Sequence, residues 1–192
     1  EIIFVDDGSK DRSFAQLQKI NEKDANVKII QFSRNFGHHI AVTAGLDHSS
    51  GDYVIMMDGD MQDQPEEMIK LYNKLLEGHD VVYAERMNKK FHWSKKMTSD
   101  IFNKLIKKWI HEDIVINSTI FRIMTKQVLE SLMELQERNR YVIGLVGWVG
   151  FDHARQEVEH GKRFKGKTKY NFSGRLKLAF NAIFSFSEYF LK

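Results

Sequence analysis

Four short apolar runs in the first 86 residues, at 2–5, 28–32, 53–57 and 80–84, alternate with stretches whose apolar residues recur at helical spacing. Phe14, Leu17 and Ile20 mark the first helical face, and residues 39–46 form a second helix after the turn at Asn35, Phe36 and Gly37. Pro65 suits the first turn of a third helix, and Glu66 and Glu67 suit its N-terminal dipole. Ile69, Tyr72 and Leu76 supply its apolar face, and Gly78 can end it. Strands joined through helices run parallel, because each crossover returns the chain to the same end of the sheet. The expected architecture is therefore α/β, a Rossmann-type, mostly parallel sheet flanked by helices. Ligands of such sheets collect beyond the carboxyl ends of the strands. Two of those ends carry carboxylates here: Asp6 and Asp7 after the first run, Asp58 and Asp60 after the third.

The second half is less regular. Residues 94–111 read as an amphipathic helix, with Ile101, Leu105 and Trp109 on one side and Lys95, Lys96, Lys104, Lys107 and Lys108 on the other. Residues 119–124 and 151–159 read as strands, and Thr125 can cap a helix carrying Val128, Leu132 and Leu135. A basic loop at 162–169 precedes a further helix from about 174. Composition narrows the chemistry. The chain has no cysteine, which excludes disulfides, thiolate metal sites and cysteine nucleophiles. A net charge of only +3 argues for local basic clusters and against a nucleic-acid partner. No window reaches the roughly 18 uncharged apolar residues that span a bilayer. The chain starts inside a strand at Glu1, and its Phe-rich end stops mid-pattern, so both ends are expected to continue in a longer protein, with more apolar chain after Lys192.

The sharpest local signal is Asp58-Gly59-Asp60, with Asp63 just beyond. On an extended segment residues i and i+2 face the same side, so both carboxylates can converge at the end of a strand. Carboxylate oxygens suit Mg²⁺ or Mn²⁺, and such an ion can bridge to a diphosphate. A solvated acidic turn is the plain alternative. An aspartyl-phosphate enzyme is disfavoured, because Met61 and Gln62 stand where a small hydroxyl residue belongs.

The runs VDDGSKDRS at 5–13, SRNFGHHIAVTAGLDHSSGDYVIMMDGDMQDQPE at 33–66, DVVYAERM at 80–87, QERNRYVIGLVGWVGF at 136–151 and KRFKGKTKYNF at 162–172 cover nearly the whole chain in order. The chain resembles the polyisoprenyl-phosphate glycosyltransferases, inverting family-two enzymes that include bactoprenol glucosyltransferases and dolichol-phosphate mannose synthases. The resemblance implies a GT-A fold over residues 1–172, lacking the family's first strand, and a membrane-proximal amphipathic helix over 173–192 that leads to a C-terminal membrane region of bilayer-spanning helices beyond Lys192.

It also implies roles for residues. Asp6 or Asp7, with Gly8, would hold the base or ribose of a nucleotide sugar, a UDP-sugar in preference to a GDP-sugar. Asp58 and Asp60 would bind the metal, with Gln62 and Asp63 as the polar pair beside it, and Arg86 would close the fourth strand at the donor. Arg163, Lys167 and Lys169 would clamp phosphate. Asp60, Asp63 and Arg163 are the residues expected to take part in transfer, with polyprenyl phosphate as acceptor and a place on the cytoplasmic face of the membrane; a homo-oligomer is compatible with this. Phe180, Phe184 and Phe186 would sit at lipid or in the core. A soluble transferase acting on a saccharide hydroxyl, with Asp63 as base, and a nucleotide-sugar-binding module without turnover remain the competing readings.

Two departures and two look-alikes stand out. The family's opening Pro-x-Tyr/Phe-Asn-Glu turn is absent, and Ile120 in Thr119-Ile120-Phe121-Arg122 replaces the Asp of the bactoprenol-type Gly-Asp-Phe-Arg. Glu112-Asp113 and the 136–141 segment superficially match acidic-base and processive-synthase signatures of other family-two enzymes, and are expected to be structural.

Overall fold

The computed structural model describes residues 1–86, 120–135 and 142–161. The chain opens with β1 (Ile2–Asp6), α1 (Ser13–Asn21), β2 (Val27–Gln31), α2 (His38–Asp47) and β3 (Tyr53–Met56). A 3₁₀ turn (Pro65–Glu67) leads into α3 (Met68–Leu75) and β4 (Val81–Arg86). After residue 119 come β5 (Arg122–Thr125), α4 (Lys126–Glu134), α5 (Val142–Trp148) and β6 (His153–Val158).

The fold is α/β, as expected. β1 and β2 pair in parallel from Ile2 opposite Val27 to Asp6 opposite Gln31, and β4 pairs in parallel with β6. The second sheet has the order β3-β5-β4-β6, with β5 antiparallel to both neighbours. The parallel character is therefore shared with an antiparallel strand, β5, inserted between β3 and β4.

The four-stranded sheet is covered on both faces, which is why its central strands read as continuous apolar runs. Alternation along β4 sends Val81 and Tyr83 to one side and Val82 and Ala84 to the other. The first side packs with Met124 of β5, Val128 and Leu132 of α4, Leu145 of α5 and Leu46 of α2. The second packs with Ile123, Phe121, Val158 and, from α3, Leu71 and Leu75. Arg122 is fully buried in β5, with its guanidinium 4.8 Å from the Tyr83 ring centroid and its Nε donating to the Ile120 carbonyl at 3.3 Å. Ile120 itself is buried among the first group of core residues, so at this position the chain contributes packing and no carboxylate.

The expected face of α3 is corrected. Leu71 and Leu75 are buried and Met68 packs beside them, whereas Ile69, Tyr72 and Leu76 are exposed. Tyr72 instead meets Tyr53 edge to face at 5.4 Å. Two interleaved apolar stripes run along this helix, and the neighbouring sheet selects one of them. Helix α5 is an addition, since its small and branched apolar residues carry no amphipathic contrast. Gly78 ends the α3 region at φ +112°, the left-handed conformation expected of a terminating glycine. Among the described residues no helix is long and apolar enough to cross a membrane. The expected helices at 94–111 and 173–192, the pair Glu112-Asp113 and the 136–141 segment lie outside the described residues.

Candidate active site at the strand ends

Asp6 is the last residue of β1, and its side chain is 5% exposed. One carboxylate oxygen accepts the Ser9 N–H at 3.2 Å, while Oδ2 is buried with no hydrogen-bond partner among the described residues. An unsatisfied buried acceptor costs about 1–3 kcal/mol, a cost that a donor from a bound ligand would remove.

Asp7 is committed differently. Its carboxylate accepts the Phe36 N–H at 2.7 Å, the Gly37 N–H at 3.1 Å and the Asn35 side-chain amide at 2.7 Å. This ties the turn before α2 to the end of β1. Gly8 completes the junction at φ +68°, where a Cβ would stand 2.4 Å from the Arg34 carbonyl carbon. The close approach leaves a cleft of about 690 Å³ lined by Gly8, Ser9, Lys10, Phe32, Ser33 and Arg34. The Arg34 guanidinium lies over the Phe36 ring at 4.2 Å.

His38 opens α2 directly after this turn, and its Nδ1 lies 3.8 Å from Asp58 Oδ1. The acidic ends of β1 and β3 are thus connected through one short stretch, from Asp7 through residues 35–37 to His38 and Asp58. The next residue, His39, has its imidazole pushed down to about 4, first by burial and then by the neighbouring His38. It is therefore neutral at pH 7 and adds no charge here.

Asp58 follows β3 and is 45% exposed at its side chain. Asp60 Oδ1 accepts the Gln62 N–H at 3.1 Å, and Met61 between them takes the left-handed φ of +62°. Asp63 is different again: it is 3% exposed, and its Oδ1 lies 3.3 Å from His160 Nδ1. Asp58 and Asp60 offer hard oxygens suited to Mg²⁺ or Mn²⁺. Among the described residues no group of three His, Cys, Asp or Glu could hold an ion alone, so such an ion would take further oxygens from a ligand.

Arg86 closes β4, as expected, although its side chain lies outside the described set. Arg163, Lys167 and Lys169 lie outside the described residues. Sequence reading did not single out His38 or His160. His160 carries no local signal at all, since its partner is 97 residues away.

The family profile described as Glycosyl transferase family 2 matches residues 1–133. The chain is 42% identical over its full length to an uncharacterized glycosyltransferase, YkcC, of Bacillus subtilis, covering 60% of that protein. It is 37% identical to a bactoprenol glucosyl transferase of Shigella phage SfV, again over its full length, covering 63% of that protein. It thus spans about 60% of the length of these curated relatives. Among solved structures, it is similar to glucosyl-3-phosphoglycerate synthase from Mycobacterium tuberculosis, with TM-score 0.60 and 16% identity over 97% of this chain and 69% of that one. It is also similar to a mannosyltransferase from Pyrobaculum calidifontis in complex with GDP-Man and Mn²⁺, with TM-score 0.59 and 12% identity over 88% of this chain and 49% of that one. At such identities the likeness speaks to the fold alone, and that fold is GT-A.

Proposed function

The chain belongs to glycosyl transferase family 2, and on that premise we propose that it moves a sugar, with inversion, from a nucleotide-sugar donor to a polyprenyl phosphate. The observation that carries the reading is the link from Asp7 through His38 to Asp58, which brings the acidic ends of β1 and β3 to one rim. A donor laid across that rim would place its nucleoside near Asp6 and the Gly8 cleft, and its diphosphate near Asp58, Asp60 and Gln62. Full-length alignment with relatives named bactoprenol glucosyl transferase supports the lipid acceptor. The names of the same relatives support a glucosyl donor. The preference for UDP over GDP rests on the bactoprenol-type run DMQDQPE at 60–66, and a place at the cytoplasmic face of the membrane is part of the same proposal.

In this reading an oxygen of the lipid phosphate attacks the anomeric carbon. The bond from that carbon to the donor's diphosphate breaks, and its electron pair leaves with the nucleoside diphosphate. A phosphate monoester, with a second pKa near 6, is already largely ionised at neutral pH and needs no base. That fits Asp63, the carboxylate named as candidate base for a hydroxyl acceptor, being buried against His160. Asp58 and Asp60 would hold the divalent ion, which when bound supplies Lewis-acid stabilisation of the leaving diphosphate. Arg163, Lys167 and Lys169 would offset phosphate charge, and Arg86 would border the donor.

The test uses the full-length protein with labelled UDP- and GDP-sugars, a short polyprenyl phosphate and Mn²⁺. Labelled lipid is expected, with at least a ~100-fold loss on changing both Asp58 and Asp60 to Asn. Transfer to a saccharide hydroxyl without need of the lipid would replace this reading by the hydroxyl-acceptor enzyme. Nucleotide binding with no transfer to any acceptor would replace it by a binding module.

A further inference from the structure

Resting on the transferase reading, we infer that Asp63 and His160 form a latch that positions the 58–63 loop, making Asp63 a positioning residue and not a proton acceptor. A side-chain contact and a backbone bridge converge on that loop from the exit of β6. Asp63 Oδ1 lies 3.3 Å from His160 Nδ1, with both side chains largely buried, at 3% and 15% exposure. The two residues also form an antiparallel backbone bridge. One residue on, the Gly161 N–H donates to the Gln62 carbonyl at 2.8 Å. Gly161 is packed so closely that a Cβ would stand 3.3 Å from the Met61 carbonyl oxygen.

The same loop holds Met61 at φ +62°, a conformation that persists only where the surroundings over-determine it. The latch supplies that constraint from outside the loop. It also reaches the proposed metal-binding carboxylate through one residue, because the Gln62 carbonyl accepts from Gly161 while the Gln62 N–H donates to Asp60 Oδ1 at 3.1 Å. A line of hydrogen bonds thus runs from β6 to Asp60. Loss of the Asp63–His160 contact should let Met61 relax and let the Asp60 carboxylate drift, weakening the grip on a metal–diphosphate. Outer partners that orient metal ligands in this way are typically worth 10–100-fold in affinity.

The experiment compares the full-length protein with Asp63→Ala, His160→Ala, the double variant and His160→Gln, whose amide can still donate to Asp63. Amide exchange at residues 60–63 is read without ligand, and binding of UDP and GDP with Mn²⁺ is read by calorimetry. Each alanine variant should speed exchange and weaken nucleotide binding by on the order of 10-fold. The double variant should be no worse than either single, and His160→Gln should lie near wild type. Additive effects would overturn the latch, as would a lower melting temperature with unchanged exchange and affinity. A kcat loss of 10²-fold or more in Asp63→Ala, with affinity intact and His160→Ala harmless, would restore the base. If the wild type binds neither nucleotide, the transferase reading fails while the exchange data still decide the latch.

Discussion

Gly8 is where the cleft tolerates least change. A methyl group there meets backbone atoms of Arg34 and Asn35, which cannot swing aside as a flexible side chain would, and the left-handed φ adds strain. Gly8→Ala should cost about 2–3 kcal/mol in urea unfolding, and a loss under 1 kcal/mol would show that the 8–35 contact is loose. His39 gives a pH-dependent signature. Its ordinary value of 6.5 falls to about 4 in the folded chain, so between these values the unfolded chain binds the proton and the native one does not. Its contribution to stability is full above pH 6.5 and is lost as pH falls toward 4. His39→Gln should flatten the decline of the urea midpoint across that window, and an unchanged slope would assign the decline elsewhere. The acidic residues were legible as strand-end carboxylates, but their separate tasks were not. Asp6 and Asp7 are adjacent in sequence, yet one is buried with a spare acceptor and the other holds a turn 28 to 30 residues away.

At the scale of elements, α3 shows the limit of periodicity. Ile69, Tyr72 and Leu76 make as good a helical stripe as Met68, Leu71 and Leu75, and spacing alone cannot say which one the sheet covers. Burial decides for Leu71 and Leu75. Leu71→Ala should therefore destabilise by about 2–4 kcal/mol, while Ile69→Ala stays within about 0.5 kcal/mol. Equal losses in thermal unfolding would mean that the exposed stripe is covered in solution. Strand β5 teaches a related lesson. Its apolar run predicts a strand, but direction depends on how the chain arrives, and alternation is the same for a strand read either way. The buried Arg122 within that run was equally hidden, since its setting beneath Tyr83 is made by pairing with β4.

Across the whole molecule, burial is uneven. Neither core group contains a residue of β1 or β2, and the two-stranded pair has only Val27 and Asp6 buried. In the 192-residue chain, amides of β1 and β2 should exchange at least ~10-fold faster than those of Val82 and Ile123, reporting local opening below the global free energy. Uniform protection would show that both sheets unfold as one unit. Such an arrangement sets the less buried pair, to which the proposed function assigns the nucleotide, beside the well-buried sheet whose β3 leads into the Asp58 loop. By itself the sequence determined the α/β class, the strand-end acids and the family, because these follow from local periodicity and contiguous motifs. Only the tertiary structure decided the direction of β5, the inward stripe of α3, the burial of Asp63 and the pairing of His38 and His160 with loop carboxylates. Those contacts join residues far apart in the chain, and their geometry exists only once the sheet and helices have packed.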